Sequence, residues 1–140
     1  MYANEILLVE DDSTDAKFFE RAVKGLDQPP TFIWCKNAEE ALHELSKRNK
    51  DNPPPRLAIF DIKMPGINGL ELLDQVRRQE LLRILPVIIM SSSDEPKDIR
   101  RAYATGANSY IVKPTRFRDL RKLVESIDTF WLHSNRVLAA

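Results

Sequence analysis

The chain has 140 residues, 43% hydrophobic and 30% charged, the size and balance of one globular domain able to bury its own core. Lys+Arg and Asp+Glu both number 21, and this formal net charge of zero excludes the overall basic field of a nucleic-acid or membrane-surface binder. The single cysteine, Cys35, excludes an intrachain disulfide and a cysteine zinc cluster. The N-terminus lacks a signal-peptide pattern and no stretch reaches the roughly 20 apolar residues of a membrane span, so the cytoplasm is the expected location.

The first apolar run is Ile6–Val9, and Glu10-Asp11-Asp12 follow it. A helical stripe comes next: Phe18, Phe19, Ala22, Val23 and Leu26. Phe32–Cys35 is the second run, with Trp34 and Cys35 read as core or sheet-edge residues. Ala38, Ala41, Leu42 and Leu45 form the second stripe, with Asn37 and Glu40 spaced as a capping pair. Asn52-Pro53-Pro54-Pro55 ends the loop before the third run, Leu57–Phe60, and Asp61 follows that run directly. Pro65-Gly66-Ile67-Asn68-Gly69 supplies turn chemistry ahead of Leu70, Leu73 and Val76. Val87–Met90 is the fourth run and leads into Ser91-Ser92-Ser93. Pro96 and Gly106 bracket Ile99, Ala102 and Tyr103 as helix start and stop signals. Tyr110–Val112 is the fifth run and Lys113-Pro114 follows it. The last stripe is the longest, from Phe117 to Trp131.

Short, nearly unbroken apolar runs suit strands buried on both faces. Their alternation with helical stripes predicts an α/β fold with a parallel sheet and helices on both faces. In such a sheet ligands bind beyond the carboxyl ends of the strands. That is where Glu10, Asp11, Asp61, Ser91 and Lys113 fall. Asp12 is read as a helix cap. Glu10, Asp11 and Asp61 together make an oxygen-only donor set for a divalent cation, most plausibly Mg2+. One of these carboxylates can then take a phosphoryl group, with the metal and Lys113 neutralising the charge. Ser91 is the hydroxyl best placed to bond a phosphoryl oxygen. His43 and His133 have no metal-ligand or nucleophile partner in sequence and are read as solvated.

The ordered set Glu10-Asp11, Asp61, Ser91, Tyr110 and Lys113-Pro114 resembles the receiver domain of bacterial two-component response regulators, from Glu5 to about Leu132. The resemblance implies a flavodoxin-like three-layer sandwich: a doubly wound parallel sheet of five strands, order 2-1-3-4-5, with five flanking helices. It implies Asp61 as phosphoryl acceptor. Glu10, Asp11, Asp61 and the Lys63 backbone carbonyl would serve Mg2+, Glu10 through water. Ser91 and Tyr110 are the implied switch pair. Lys113 is the implied phosphoryl contact, with a cis bond to Pro114. The partner so implied is a sensor histidine kinase, and the chain itself is no enzyme beyond its own phosphorylation and dephosphorylation.

The chain ends soon after the last stripe, so the expectation is a stand-alone receiver over residues 1–140. Phe130-Trp131-Leu132, Val137 and Leu138 make residues 130–140 an extension that either folds back on the core or builds a homodimer; the dimer is preferred. The Phe-Trp-Leu ending and the loop Lys47–Pro55 are similar to small regulators paired with phytochrome-type kinases. An aspartyl phosphatase is disfavoured because Lys63 stands where a second acid is usual. A flavin-binding protein is disfavoured because Glu10-Asp11-Asp12 would repel its phosphate. A phosphorylation-independent interaction module of the same fold is the remaining alternative.

Overall fold

The computed structural model describes residues 2–138. Five strands alternate with five helices: β1 (Ala3–Val9), α1 (Ser13–Lys24), β2 (Thr31–Cys35), α2 (Ala38–Ser46), β3 (Pro55–Phe60), α3 (Gly69–Arg78), β4 (Val87–Ser91), α4 (Pro96–Thr105), β5 (Ser109–Val112) and α5 (Phe117–Ile127). The sheet is wholly parallel with order β2-β1-β3-β4-β5, as the resemblance implied. The chain steps outward from β1 to β2 and then crosses to β3 on the other side of β1. That reversal leaves a crevice above the C-terminal ends of β1 and β3.

Successive strand residues face opposite sides of the sheet, so each central strand feeds two cores. Ile6, Leu8, Leu57, Ile59 and Ile88 pack with Phe19 and Val23 of α1 and Val124 of α5. Leu7, Val9, Ala58, Phe60 and Ile89 pack with Leu45 of α2, Leu72 of α3 and Ala102 of α4. All of these side chains are buried. Truncating one of the leucines to alanine costs about 2–5 kcal/mol.

The helix ends follow their local chemistry. Asp12 caps α1, accepting from the N–H groups of Thr14 and Asp15. Asn37 caps α2, but Glu40 does not close a reciprocal box; its Oε2 accepts instead from Lys36 N. The full capping box is at α3, where Asn68 and Glu71 satisfy each other's backbone N–H groups. Gly106 ends α4 with φ 113°, a conformation that a side chain would strain. Beyond α5 the chain continues as a π-helical turn over Asp128–Ser134, and Asn135 N donates to Phe130 O at 2.6 Å.

Two arginines tie the base of the fold. Arg48 is buried and pairs with Glu5 and Glu44 while donating to Pro53 O, which draws the loop after α2 onto the sheet. Arg77 at the end of α3 donates to the carbonyls of Gly106, Leu85 and Leu82 and to Asn108 Oδ1. It therefore fastens the C-terminal end of α4. No helix among the described residues is long and apolar enough to cross a membrane.

Candidate functional site

Strand register places the acidic residues side by side. Val9 pairs with Phe60, and Asp61 N donates to Val9 O at 3.1 Å. Glu10 and Asp61 each stand one residue beyond this pair, so both enter the crevice. Glu10 and Asp61 are buried and Asp11 is exposed. One carboxylate oxygen from each of the three lies within 4.8 Å of the others. Hard, oxygen-only donors this close suit a divalent cation. Asp11 also shares a cleft with Ile62, Lys63 and Asn68, so Lys63 lies at the expected edge of the site. The cluster fits a divalent metal.

Gly69 allows the loop after β3 to fold this tightly. A Cβ there would collide with the Asp61 carbonyl oxygen, and Gly69 N donates to Ile62 O at 2.9 Å.

A second register match brings in the other two residues. Ser91 pairs with Val112, and Lys113 N donates to Ser91 O at 2.7 Å. The Lys113 ammonium bonds Glu10 at 2.7 Å, Asp15 at 3.0 Å and Asp61 at 3.3 Å. Burial pushes the Glu10 carboxyl up to about 7, against the opposing pull of Lys113 and the Asp12 N–H. For Lys113, burial favours the neutral amine, but Glu10, Asp61 and Asp15 outweigh it and hold its pKa above the usual lysine range. The Lys113–Pro114 bond is trans, a correction to the cis bond that the resemblance implied. Trans is the lower-energy isomer for X–Pro by about 0.5–1 kcal/mol.

Ser91 is fully buried, and its Oγ accepts from Ser93 N at 3.2 Å. Tyr110 is half-buried, and its hydroxyl donates to Ser93 O at 2.7 Å. Ser93 Oγ donates to Asp98 at 2.6 Å and accepts from Glu95 N at 3.3 Å. Ser93 thus joins Ser91, Tyr110 and the start of α4.

Glu10, Asp11, Asp61, Ser91 and Lys113 fall together at the C-terminal ends of β1, β3, β4 and β5, Lys63 lies in the loop after β3, and Tyr110 lies within β5. The two histidines lie elsewhere. His43 is exposed on α2, and His133 pairs with Asp128 at 3.3 Å. Sequence reasoning missed Asp15, an acidic residue in the first turn of α1 just after the acidic set. It also missed the junction role of Ser93, whose bonds depend on the path of the loop after β4.

Residues 6–125 match the response regulator receiver domain, and the chain belongs to that family, a family of signalling domains that act with histidine kinases. A probable methanogenesis regulatory protein, FilR2 of Methanothrix harundinacea, is 38% identical over 136 residues, 94% of this chain and 85% of its own length. The phosphorylated cyanobacterial phytochrome response regulator RcpA superposes with a TM-score of 0.87 at 26% identity, over 96% of this chain and 97% of that one. Response regulator Rcp1 of Synechocystis sp. is 28% identical over 96% of this chain and 93% of its own. Its Mn2+-bound structure superposes with a TM-score of 0.85, at 27% identity, over 97% of this chain and 99% of that one. By sequence and by fold, then, the chain stands close to the phytochrome-associated response regulators.

Proposed function

We propose that the chain is a phosphoacceptor switch in which Asp61 takes a phosphoryl group from the phosphohistidine of a sensor kinase. The single observation that carries this reading is the Lys113 ammonium 3.3 Å from Asp61, inside a cluster of three carboxylates. An Asp61 oxygen forms the new O–P bond as the N–P bond of the donor breaks. Lys113 moves from the carboxylate to a phosphoryl oxygen, a charge-assisted bond that stabilises the product. Glu10, Asp11, Asp61 and the Lys63 carbonyl would hold Mg2+, which would neutralise the phosphoryl charge. Ser91 then turns its Oγ from Ser93 N toward the phosphoryl oxygens. That change loosens Ser93 O, the acceptor of the Tyr110 hydroxyl, and biases the position of α4. The output is a changed protein-interaction surface.

The kinase is of phytochrome type on this reading, supported by the likeness to RcpA and Rcp1. The C-terminal extension builds a homodimer, supported by Ile84, Phe130 and Leu138, which are exposed around one hollow. The protein works in the cytoplasm.

The deciding test is intact mass after incubation with a small phosphoryl donor, with and without Mg2+, beside Asp61→Asn. A Mg2+-dependent gain of one phosphoryl group, absent from the variant, supports the reading. Uptake undiminished in the variant sinks the acceptor assignment. No uptake from either the small donor or a phosphorylated histidine kinase favours the phosphorylation-independent interaction module.

A further inference from the structure

The two consecutive carboxylates at the end of β1 are joined by one peptide group, and the plane of that group fixes where both side chains point. In a regular parallel ladder its carbonyl, Glu10 O, would accept from the neighbouring strand. The ladder does run as far as Glu10 N, which donates to Cys35 O at 3.0 Å. It stops there, because β2 ends at Cys35 and Asn37, whose N–H would come next, is already the cap of α2. The indole N–H of Trp34 takes over, donating to Glu10 O at 2.8 Å. The ring is half-buried on the α1/α5 side of the sheet, and the Lys36 ammonium lies 5.7 Å from its centroid. So both polar atoms on the backbone of Glu10 are held by β2, one through its backbone and one through a side chain.

We propose that Trp34 is a positioning residue for the divalent cation: its indole N–H fixes the Glu10–Asp11 peptide plane and thereby the spacing of the two carboxylates. The proposal rests on the metal site described above. Without the indole donor the peptide is free to rotate toward water. The acidic pair then has to be reordered when the cation binds, and that ordering cost reduces affinity.

Phenylalanine at position 34 keeps most of the packing and deletes only the donor. Loss of one neutral hydrogen bond predicts Mn2+ affinity about three- to ten-fold weaker in Trp34→Phe, with an unchanged far-ultraviolet spectrum. Free Mn2+ is read by electron paramagnetic resonance, which needs no phosphorylation. Phe32→Leu is the packing control, since Phe32 shares the strand and the face of Trp34. It should lower the melting temperature and leave Mn2+ affinity as in the wild type. Trp131→Phe makes Trp34 the sole indole, and Mg2+ should then change its emission along the same binding curve.

Wild-type Mn2+ affinity in Trp34→Phe, or an equal loss in Phe32→Leu, overturns the proposal. Emission from Trp34 that is blind to Mg2+ also counts against it. A wild-type chain with no affinity for Mn2+ overturns the metal site itself and this inference with it.

Discussion

Lys113 shares one ammonium among Glu10, Asp15 and Asp61, and Asp61 has the longest of the three bonds. Asp15 therefore competes with Asp61 for the lysine. Its side chain is 42% exposed, so the competition is worth only the fraction of a kcal/mol usual for wet ion pairs. Asp15→Asn should raise the initial rate of phosphoryl uptake about two- to five-fold at saturating Mg2+. A rate equal to the wild type would remove Asp15 from the site. Glu10 makes a second prediction. A proton and a metal compete for the same carboxylate, and burial holds the Glu10 proton until about pH 7. Divalent-cation affinity should be level well above pH 7 and fall about ten-fold per pH unit well below it. Mn2+ titration at several pH values reads this directly. A flat profile between pH 5 and 8 would mean that Glu10 is already ionised throughout.

At the scale of elements, the approach to the site depends on two small residues. Gly69 lets the turn after β3 pass the Asp61 carbonyl, and Gly69→Ala should overpack it and cost about 1–3 kcal/mol. Urea unfolding would measure this as a lower midpoint with an unchanged slope. Ser93 ties the preceding loop to α4, its hydroxyl donating to Asp98 and accepting from Glu95 N. Ser93→Ala should cost about 1 kcal/mol, the usual worth of such a hydroxyl. The same elements show what was legible in the sequence. Ile6–Val9 and Leu57–Phe60 read as central strands because both of their faces are buried, leaving unbroken apolar runs. Pro96 and Gly106 marked α4 because their backbone chemistry is local. The Asn68–Glu71 box was hidden inside residues read only as a turn. The Trp34 bond to Glu10 was hidden because it depends on where β2 leaves the sheet, a tertiary event. The isomer at Pro114 was carried over from the resemblance, and no local pattern in this chain encodes it.

Across the whole molecule, the C-terminal extension divides into packed and exposed residues. Leu132 is buried against α1 and α5, and Val137 packs across the base of the sheet toward the opposite core. Arg56 fastens this crossing by donating to Asn135 O at 3.1 Å. Trp131 packs on the first of these cores as well, so fold-back accounts for three of the five large apolar residues, a reading sequence alone could not separate from dimerisation. Phe130 and Leu138 stay exposed, 53% and 82%, while Ala139 and Ala140 lie outside the described residues. If this rim is the dimer contact, Phe130→Glu should give a monomer by sedimentation equilibrium without altering the melting temperature. A wild-type chain that is monomeric at high concentration would end the dimer proposal.

Arg77 gives α4 a fixed end. Its guanidinium is spent on Gly106 O, Leu85 O and Asn108, so the C-terminus of the helix is riveted to the sheet's lower rim. At the N-terminus, Ser93 bonds Asp98 and Glu95 N. The helix is therefore a lever with its fulcrum at Gly106 and its load arm at Glu95. Ten residues make an arm of about 15 Å. A swing of about 5° at the fulcrum would carry the tip about 1.3 Å, so a displacement no larger than one bond length at Ser93 is enough to reshape the face a partner meets.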